Sequence, residues 1–331
     1  MRRTLVLLIV VAVIAVGAIF WSRHNKGTSP TTSASTTTTV PPVAPLTGLP
    51  DPAGQALTRP ALTVKVENTP EALPQWGIDR ADVVYEEIVN GGITRLAAIF
   101  NSQAPAKVGP VRSVRPTDTF VVWPIGGIFA YSGGAPYAVE SISKAPVKLV
   151  DETSAGAAMY RDPHRQAPSN LYASAGALFQ LKGTPTPPRA LFTYRHGTLG
   201  AGATVVHHFT VEFPSIYPVT WTWNTTTLSW DRTLFGQPIV TGTGVRVSPK
   251  NVVVMFVNYF NGVGAFTSYT NLLGTGQIEV FSDGHMVRGT WSRAAKTDVV
   301  HYHTMGGKVL AMDPGQTWVE LLNIGARVPI S

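Results

Sequence analysis

Beyond Pro45, the apolar residues of this chain occur in short runs separated by glycine and proline, a pattern typical of β-strands joined by turns. The 331 residues include 31 glycines and 26 prolines, and a proline inside a helix removes a hydrogen bond and disrupts the helix. The sequence therefore favours strands with occasional helices. We predict a mixed α/β fold class, in which an α+β amino-terminal module precedes a β-rich antiparallel carboxyl-terminal module.

Alternation and turn chemistry predict several strands of the amino-terminal module. Leu62, Val64 and Val66 alternate with polar residues, so this strand should bury one face. Residues 81–89 and 93–100 flank an Asn-Gly-Gly sequence, and these residue types tolerate the positive φ of a tight turn. We expect these two segments to form a hairpin.

Further along the chain, residues 170–181 carry the best helical pattern and should form a helix capped near its start. The continuous apolar run at 252–257 should be a central strand. Turn residues separate three more pairs of apolar segments, which predict three hairpins. These pairs are 221–223 with 228–230, 278–281 with 286–291, and 309–312 with 318–322.

An uncharged, mostly apolar run of 18 residues, Thr4–Trp21, lies between basic residues near the amino terminus. At about 1.5 Å of helical rise per residue it reaches roughly 27 Å, close to the hydrocarbon thickness of a bilayer. Residues 1–26 should therefore form a transmembrane signal anchor, with a cleaved signal peptide as the alternative. The short basic head predicts a single-pass protein of the cell membrane whose large carboxyl-terminal part is extracytoplasmic.

The composition changes twice after this segment. Residues 27–44 consist mostly of Thr, Ser and Pro, a composition that buries too little apolar surface to fold, and we expect a disordered linker. Beyond it we expect two domains, an α/β domain at 45–189 and a β-rich domain at 190–331.

Charge and cysteine content exclude several classes of function. The formal net charge is +7, but four of the 26 basic residues lie within the first 26 positions. No basic run or arginine–aromatic stripe follows, so we expect no nucleic-acid partner. The chain has no cysteine, which excludes disulfides and lipid attachment through a thiol. No phosphate-binding or dinucleotide-binding glycine motif is present, and we expect no cofactor.

Distinctive stretches follow one another in a fixed order along most of the chain. They are PLTGLP at 45–50, PQWG at 74–77, ADVVYE at 81–86, GGITRL at 91–96, VGPVRSVRP at 108–116, RD at 161–162, APSNLY at 167–172, FSDG at 281–284, GTW at 289–291 and PGQTW at 314–318. Together they resemble the YerB-like family, also described as domain of unknown function 3048, over roughly residues 45–325. The resemblance implies an envelope-associated bacterial protein with a mixed α/β amino-terminal module and a β-rich carboxyl-terminal module.

Two features depart from the family pattern. Members of the family are often lipoproteins, whereas this chain has no cysteine to carry a lipid. Ser169 stands where the family pattern leads us to expect histidine. The first departure exchanges a lipid anchor for an apolar helix, and the second argues against a histidine-dependent role at that position.

Three arginines are the leading candidates for a binding site. Arg112 and Arg115 lie between two prolines, and Arg95 lies on a nearby predicted strand. Guanidinium groups present forked donors that match carboxylate or phosphate, so their convergence would create an anion site. The alternative is that they form structural ion pairs with nearby acids: Glu86, Glu87 or Asp82.

Other residues complete the candidate ligand-binding set. Ser132 begins a glycine-lined stretch suited to close approach of a ligand. Glu86 and Glu87 should point to opposite faces of their strand, so at most one of them faces a given site. The predicted ligand-binding residues are Arg95, Arg112, Arg115, Glu86, Ser132 and Asn170.

Weaker motifs indicate catalysis, metal binding or sugar stacking. The acids could supply a carboxylate pair for glycan chemistry, and Ser141-x-x-Lys144 matches a fragment of the penicillin-binding signature without its companion motifs. His301 and His303 share a strand face, with Asp298 or His285 as a further metal ligand, although we commit to no metal site. Five tryptophans could stack on sugars or fill a core: Trp221, Trp223, Trp230, Trp291 and Trp318. The acids considered are Glu67, Glu86, Glu87 and Asp162.

These observations favour a membrane-tethered extracytoplasmic binding protein. Its ligand should be an anionic envelope component or a partner protein, held near the arginines of the amino-terminal module. The alternative is a hydrolase or transferase that acts on cell-wall glycan or peptide. The sequence leaves open the oligomeric state and whether the protein is an enzyme.

Overall fold

A computed structural model describes residues 42–181, 186–199, 202–214 and 218–331. The predicted anchor at 1–26 and residues 27–41 of the predicted linker lie outside the described residues. Within those ranges, no helix is long and apolar enough to cross a membrane. The transmembrane helix predicted to precede the fold belongs to the first 26 residues, which these ranges do not include.

A mixed sheet of eleven strands forms the centre of the molecule. Its order is β16-β15-β14-β13-β17-β2-β3-β1-β4-β5, and β8 pairs with part of β15. The strands are β1 (Leu62–Glu67), β2 (Val83–Ile88), β3 (Thr94–Phe100), β4 (Gly127–Ala130), β5 (Val147–Val150), β8 (Thr204–Val205), β13 (Asn251–Val257), β14 (Gly274–Ser282), β15 (His285–Arg293), β16 (His301–Thr304) and β17 (Thr317–Asn323).

Two smaller sheets and a few short helices complete the described structure. One sheet pairs β6 (Met159–Arg161) with β7 (Leu171–Ala173), and the other contains β9 (His208–Val211), β10 (Val219–Asn224), β11 (Ser229–Leu234) and β12 (Gln237–Pro238). The α-helices are α1 (Pro116–Val122), α2 (Pro136–Ser143) and α3 (Ala175–Gln180). Single 3-10 turns lie at Pro70–Ala72, Ile78–Arg80, Asn90–Gly92 and Gly156–Ala158.

The predicted mixed α/β class is wrong. Over the described ranges the fold is mostly β, with three α-helices of at most eight residues each. The helix predicted at 170–181 shows the reason, because its first part is the strand β7. The helix α3 begins only after Ser174, whose hydroxyl oxygen accepts a hydrogen bond from the Ala177 amide at 3.3 Å.

Three of the four predicted hairpins are present in the structure, and one is not. The hairpins β2–β3, β10–β11 and β14–β15 are confirmed as antiparallel pairs, and β13 is a central strand between β14 and β17 as expected. The hairpin predicted for 309–312 with 318–322 is wrong. Instead, β17 lies between β13 and β2 and is parallel to both. A strand with apolar residues on both faces is more stable in the centre of a sheet than at its edge, because both faces are then buried.

The central sheet is covered on both faces. On one side, which we call the tryptophan face, Trp221 and Trp230 of the four-stranded sheet pack in a common core with Trp318 of β17. On the other side, the helix face, Val122 of α1 and Ile142 of α2 pack against the sheet. For this reason all six residues of β1 are buried, and the prediction that β1 buries only one face is wrong.

The amino- and carboxyl-terminal parts of the chain share this sheet, because β17 pairs with β2. A protein of residues 42–331 should therefore unfold in one cooperative transition. The 42–189 fragment would lack β17 and expose the edge of β2 together with the apolar tryptophan face. We expect that fragment to aggregate or to melt without cooperativity in circular dichroism and size-exclusion experiments. A monomeric 42–189 fragment with a cooperative melt would show instead that the predicted boundary separates two independent domains.

Candidate functional site

Charged side chains lie in a row across three neighbouring strands on the helix face. The register places Glu67 of β1 opposite Arg95 of β3, and Arg95 opposite Glu87 of β2. Lys65 of β1 projects from the same face, two residues before Glu67. Opposed positions on one face of a sheet bring side chains close enough to interact.

Lys65 forms ion pairs with two of the acids in this region. Its ammonium lies 2.6 Å from Glu87 Oε1 and 2.8 Å from Asp118 Oδ1, and the lysine side chain is fully buried. Asp118, in the first turn of α1, also accepts a hydrogen bond from the Arg115 amide at 2.7 Å. Burial raises the Asp118 pKa to about 7, against the opposing effect of the Lys65 charge. Glu87 and Asp118 are therefore already engaged with a cation.

Arg95 has no comparable partner. It is 4% exposed, and its Nε and Nη1 atoms make no hydrogen bond. Among the described residues no carboxylate forms an ion pair with it. Burial, together with the charges of Arg115 and Arg112, lowers the Arg95 pKa to about 10, and Glu67 and Glu87 only partly oppose that shift. Arg95 is thus a buried cation with unused donors in a region of surplus positive charge.

Arg112 and Arg115 lie on the segment 110–116, which runs beside β1. The Arg112 amide donates to the Lys65 carbonyl at 2.9 Å, and its Nε lies 3.3 Å from Glu67 Oε1. Arg115 donates to the Val114 carbonyl and to Asn90 Oδ1, both at 2.9 Å. No ion pair of the Arg115 guanidinium exists in the part of the chain that the structure describes. We call Arg95, Arg112 and Arg115 the arginine site.

A pocket of about 200 Å³ opens beside Arg115, at the amino terminus of α2. Within the described ranges, three donors that line this pocket make no hydrogen bond to the protein: the Ser113 hydroxyl and the amides of Gly134 and Ala135. Gly134 has a φ of +157°, and a Cβ there would lie 2.5 Å from Val114 Cγ1, so the position requires glycine. We call this cavity the anion pocket, because unpaired donors and a helix amino terminus both attract negative charge. It is lined by Asn90, Ser113, Val114, Arg115, Gly134, Ala135, Tyr137, Ala138 and Phe266.

The structure brings together only part of the predicted ligand-binding set. Ser132 lies next to the arginine site, since its amide donates to the Arg112 carbonyl at 3.0 Å. Glu86 lies on the opposite, tryptophan face and accepts from Arg232 Nη2 at 2.6 Å. Asn170 accepts from Arg161 Nη1 at 2.7 Å and does not line the anion pocket. A larger groove, of about 750 Å³, runs beside β15 and is lined by none of the predicted residues.

The acids expected to pair with the arginines have other partners. Glu87 binds Lys65, and Glu86 binds Arg232. Asp82 accepts from the amides of Asn101 and Ser102, at 2.5 and 2.7 Å. The carboxylate that pairs with an arginine of this site is Glu67, 3.3 Å from Arg112 Nε, and the sequence suggests it only as a catalytic acid.

Several residues of this region escaped sequence reasoning. Lys65 carries a usable signal, because a lysine in a strand of apolar and β-branched residues needs a buried partner if both faces are covered. Ser113 lies inside the VGPVRSVRP motif, but nothing in the sequence distinguishes its hydroxyl from that of any other serine. Tyr137 and Phe266 are far apart in the chain, and only folding brings them to one pocket.

The weaker motifs do not assemble into sites. Ser141 Oγ lies 2.9 Å from Thr119 Oγ1, while Lys144 pairs with Glu140 on the surface. Within the described ranges, no three metal-binding side chains of the His, Cys, Asp or Glu type come together. Three of the tryptophans fill the core with no exposed surface: Trp221, Trp230 and Trp318.

A second buried charge cluster lies on the tryptophan face. Besides Arg232, Glu86 accepts hydrogen bonds from Asn68 at 3.0 Å and Thr94 at 2.6 Å. Glu320 of β17 lies opposite Glu86 in the register. Burial and the neighbouring Glu86 carboxylate raise the Glu320 pKa well above the ordinary value. Burial and the neighbouring carboxylate therefore favour the protonated form of Glu320 in the folded protein.

Comparison with known proteins places the chain among proteins without an assigned function. The family model "Protein of unknown function (DUF3048) N-terminal domain" matches residues 46–184, and the model for the "DUF3048 C-terminal domain" matches residues 209–319. "Putative lipoprotein YerB" of Bacillus subtilis (strain 168) is 38% identical over 134 residues, which are 40% of this chain and 40% of that protein. The chain thus aligns with less than half the length of that curated relative.

A solved structure shares the fold. The crystal structure of the YerB protein from Bacillus subtilis matches with a TM-score of 0.74 and 24% identity, over 87% of this chain and 99% of that chain. The comparison confirms the resemblance that the sequence motifs indicated.

The raised pKa of Glu320 predicts that the stability of the fold depends on pH. Because the folded form binds this proton more tightly than the unfolded form, stability should fall as pH rises above about 4.3, the ordinary glutamate pKa. Glu320→Gln mimics the neutral acid, so its melting temperature should equal that of the wild type near pH 5 and exceed it at pH 8. Thermal melts across this range test the effect, with the partly exposed Glu212→Gln as control. Parallel curves for wild type and Glu320→Gln would contradict it.

Proposed function

We propose that this chain, which belongs to the DUF3048 family of proteins of unknown function, is a binding protein of the bacterial cell envelope. Its ligand is an anion that binds at the arginine site. The single observation that carries this proposal is the state of Arg95. A buried guanidinium with two unpartnered nitrogens costs free energy unless an anion completes its hydrogen bonds.

The charge balance around Arg95 supports the same proposal. Lys65 occupies both Glu87 and Asp118, and Arg112 occupies Glu67. Positive charge therefore remains on Arg95 and Arg115. Arg115 lines the anion pocket together with Ser113 and Gly134, whereas Arg95 lies buried behind it in the sheet. A carboxylate or phosphate group would accept from planar guanidinium groups in a bidentate manner.

The envelope assignment rests on the relative that is named a lipoprotein. Since that alignment covers 40% of the relative, we transfer only the general location and not the mode of attachment. The chain has no cysteine to carry a lipid. Its association with the envelope therefore does not follow the lipoprotein chemistry that the relative's name implies.

The alternative of a glycan- or peptide-acting enzyme has less support. Each candidate acid is held by a cation: Glu67 by Arg112, Glu86 by Arg232, Glu87 by Lys65 and Asp162 by Lys107. A catalytic carboxyl group needs access to substrate. Glu67, Glu86 and Glu87 are buried, and Asp162 is occupied by Lys107.

Removal of the Arg95 charge separates a binding role from a structural one. Arg95→Met should leave the melting temperature in phosphate-free buffer unchanged or raise it, because it removes an unpaired buried cation. The same variant should lose the rise in melting temperature that pyrophosphate causes in the wild type. The control is Arg161→Met, since Arg161 pairs with the exposed Glu152. A large drop in stability for Arg95→Met without ligand would identify Arg95 as structural and refute the binding role.

Replacement of the planar groups tests the geometry of the site. Arg112→Lys with Arg115→Lys keeps the charge but removes the forked donors, so pyrophosphate should bind roughly ten- to a hundredfold more weakly, the equivalent of about 1.5 to 3 kcal/mol. Isothermal titration calorimetry measures the change, with Arg161→Lys as the matched control. Unchanged affinity in the folded double variant would mean that the site is a general electrostatic surface.

A further inference from the structure

The rim of the anion pocket is apolar and exposed, in contrast to its cationic wall. Phe266 lines the pocket and is 69% exposed, while Val263 and Phe260 on the same loop are 44% and 40% exposed. We call residues 260–269 the aromatic loop. Large apolar side chains held in solvent beside a binding pocket indicate a contact surface.

The aromatic loop is fixed to the walls of the pocket. The Gly91 amide donates to the Gly264 carbonyl at 2.8 Å, and the Tyr137 hydroxyl donates to the Phe266 carbonyl at 2.9 Å. The Tyr137 and Phe266 rings also meet edge to face, with centroids 6.4 Å apart. The exposed side chains are therefore presented in a defined position next to Arg115.

The anion pocket carries a positive charge, whereas the aromatic loop carries none. Residues 258–273 contain no Asp, Glu, Lys or Arg. The nearest cation on the pocket wall is Arg115, which no carboxylate neutralises within the described ranges. A ligand that fits both parts has a compact anionic group for the pocket and an apolar body for the loop.

We propose that the anion pocket binds the phosphate headgroup of an anionic lipid at a membrane surface, while Phe266, Val263 and Phe260 contact the apolar region beneath the headgroups. This inference rests on the proposed anion-binding function and specifies its ligand class. An acidic peptide fits less well, because it would leave the three apolar side chains without apolar partners and needs several spaced cations. Exposed Phe and Val side chains beside a cationic group are typical of residues that enter the membrane interface.

The absence of cysteine allows a direct test in the full chain. Val263→Cys provides a single thiol for an environment-sensitive fluorophore, and Met305→Cys provides a control at a 68% exposed position that lines a different groove. Each labelled protein is mixed with vesicles of phosphatidylglycerol or of phosphatidylcholine. A comparison of headgroups and positions cancels the contribution of the apolar amino-terminal segment, which is the same in every sample.

We expect a blue shift of the Val263 label with phosphatidylglycerol, at least tenfold more lipid for the same shift with phosphatidylcholine, and no difference at Met305. Arg115→Gln should remove the headgroup preference. Phe260→Ser should weaken the response to vesicles but leave pyrophosphate binding intact, because Phe260 does not line the anion pocket. Its side chain is 40% exposed, so this variant should fold normally.

Each contrary result has a distinct meaning. Pyrophosphate binding without a vesicle response would refute the lipid inference and leave the proposed function standing, since soluble phosphate would then be the ligand source. An equal shift with both lipids would refute headgroup recognition. A stronger response to a soluble polyglutamate peptide than to phosphatidylglycerol vesicles would identify a protein ligand instead. A wild-type protein that binds neither pyrophosphate nor vesicles would refute both proposals.

Discussion

The central sheet is buried on both faces, so every charged side chain on its inner strands needs a partner within the protein or from a ligand. This constraint explains the two buried clusters. On the tryptophan face, Arg232 and Glu86 are fully buried and 2.6 Å apart. On the helix face, Lys65 holds Glu87 and Asp118 in the same way. Arg95 is the inner-strand cation for which the described residues supply no such partner.

The position of β17 creates this constraint. A parallel strand inserted between β13 and β2 joins the early and late parts of the chain in one sheet. The four-stranded sheet then covers one face, where Phe209 stacks on Phe281 with centroids 3.6 Å apart. The helices α1 and α2 cover the other face and bring Asp118 and the anion pocket to the ends of β1 and β3. The fold thus places a concave pocket beside Arg115, for which the described residues supply no carboxylate partner.

This arrangement separates stability from binding. Lys65 and Arg232 each form a buried ion pair with a carboxylate, and removal of one partner from such a pair is strongly destabilising, by about 3 to 5 kcal/mol. The arginine site has the opposite character, because its donors are left for a ligand. The aromatic loop adds apolar surface at the same place, so charge and hydrophobic contact act on one ligand.

The sequence by itself determined the features that depend on neighbouring residues. The Asn-Gly-Gly turn fixed the β2–β3 hairpin, the apolar run of β13 indicated a central strand, and the ordered motifs identified the family. The guanidinium groups of Arg95, Arg112 and Arg115 were recognisable by residue type alone. These signals are local, because turn conformation and strand alternation are set by the residues themselves.

Only the tertiary structure decided which groups meet. Distant parts of the chain are joined by the pairing of β17 with β2, by the ion pairs of Glu87 with Lys65 and of Glu86 with Arg232, and by the approach of Phe266 to the anion pocket. Parallel pairing between segments far apart in sequence leaves no turn signal, and burial depends on what covers each face. The sequence therefore identified the arginines as candidate binding residues, and the fold decided which of them lack a carboxylate partner.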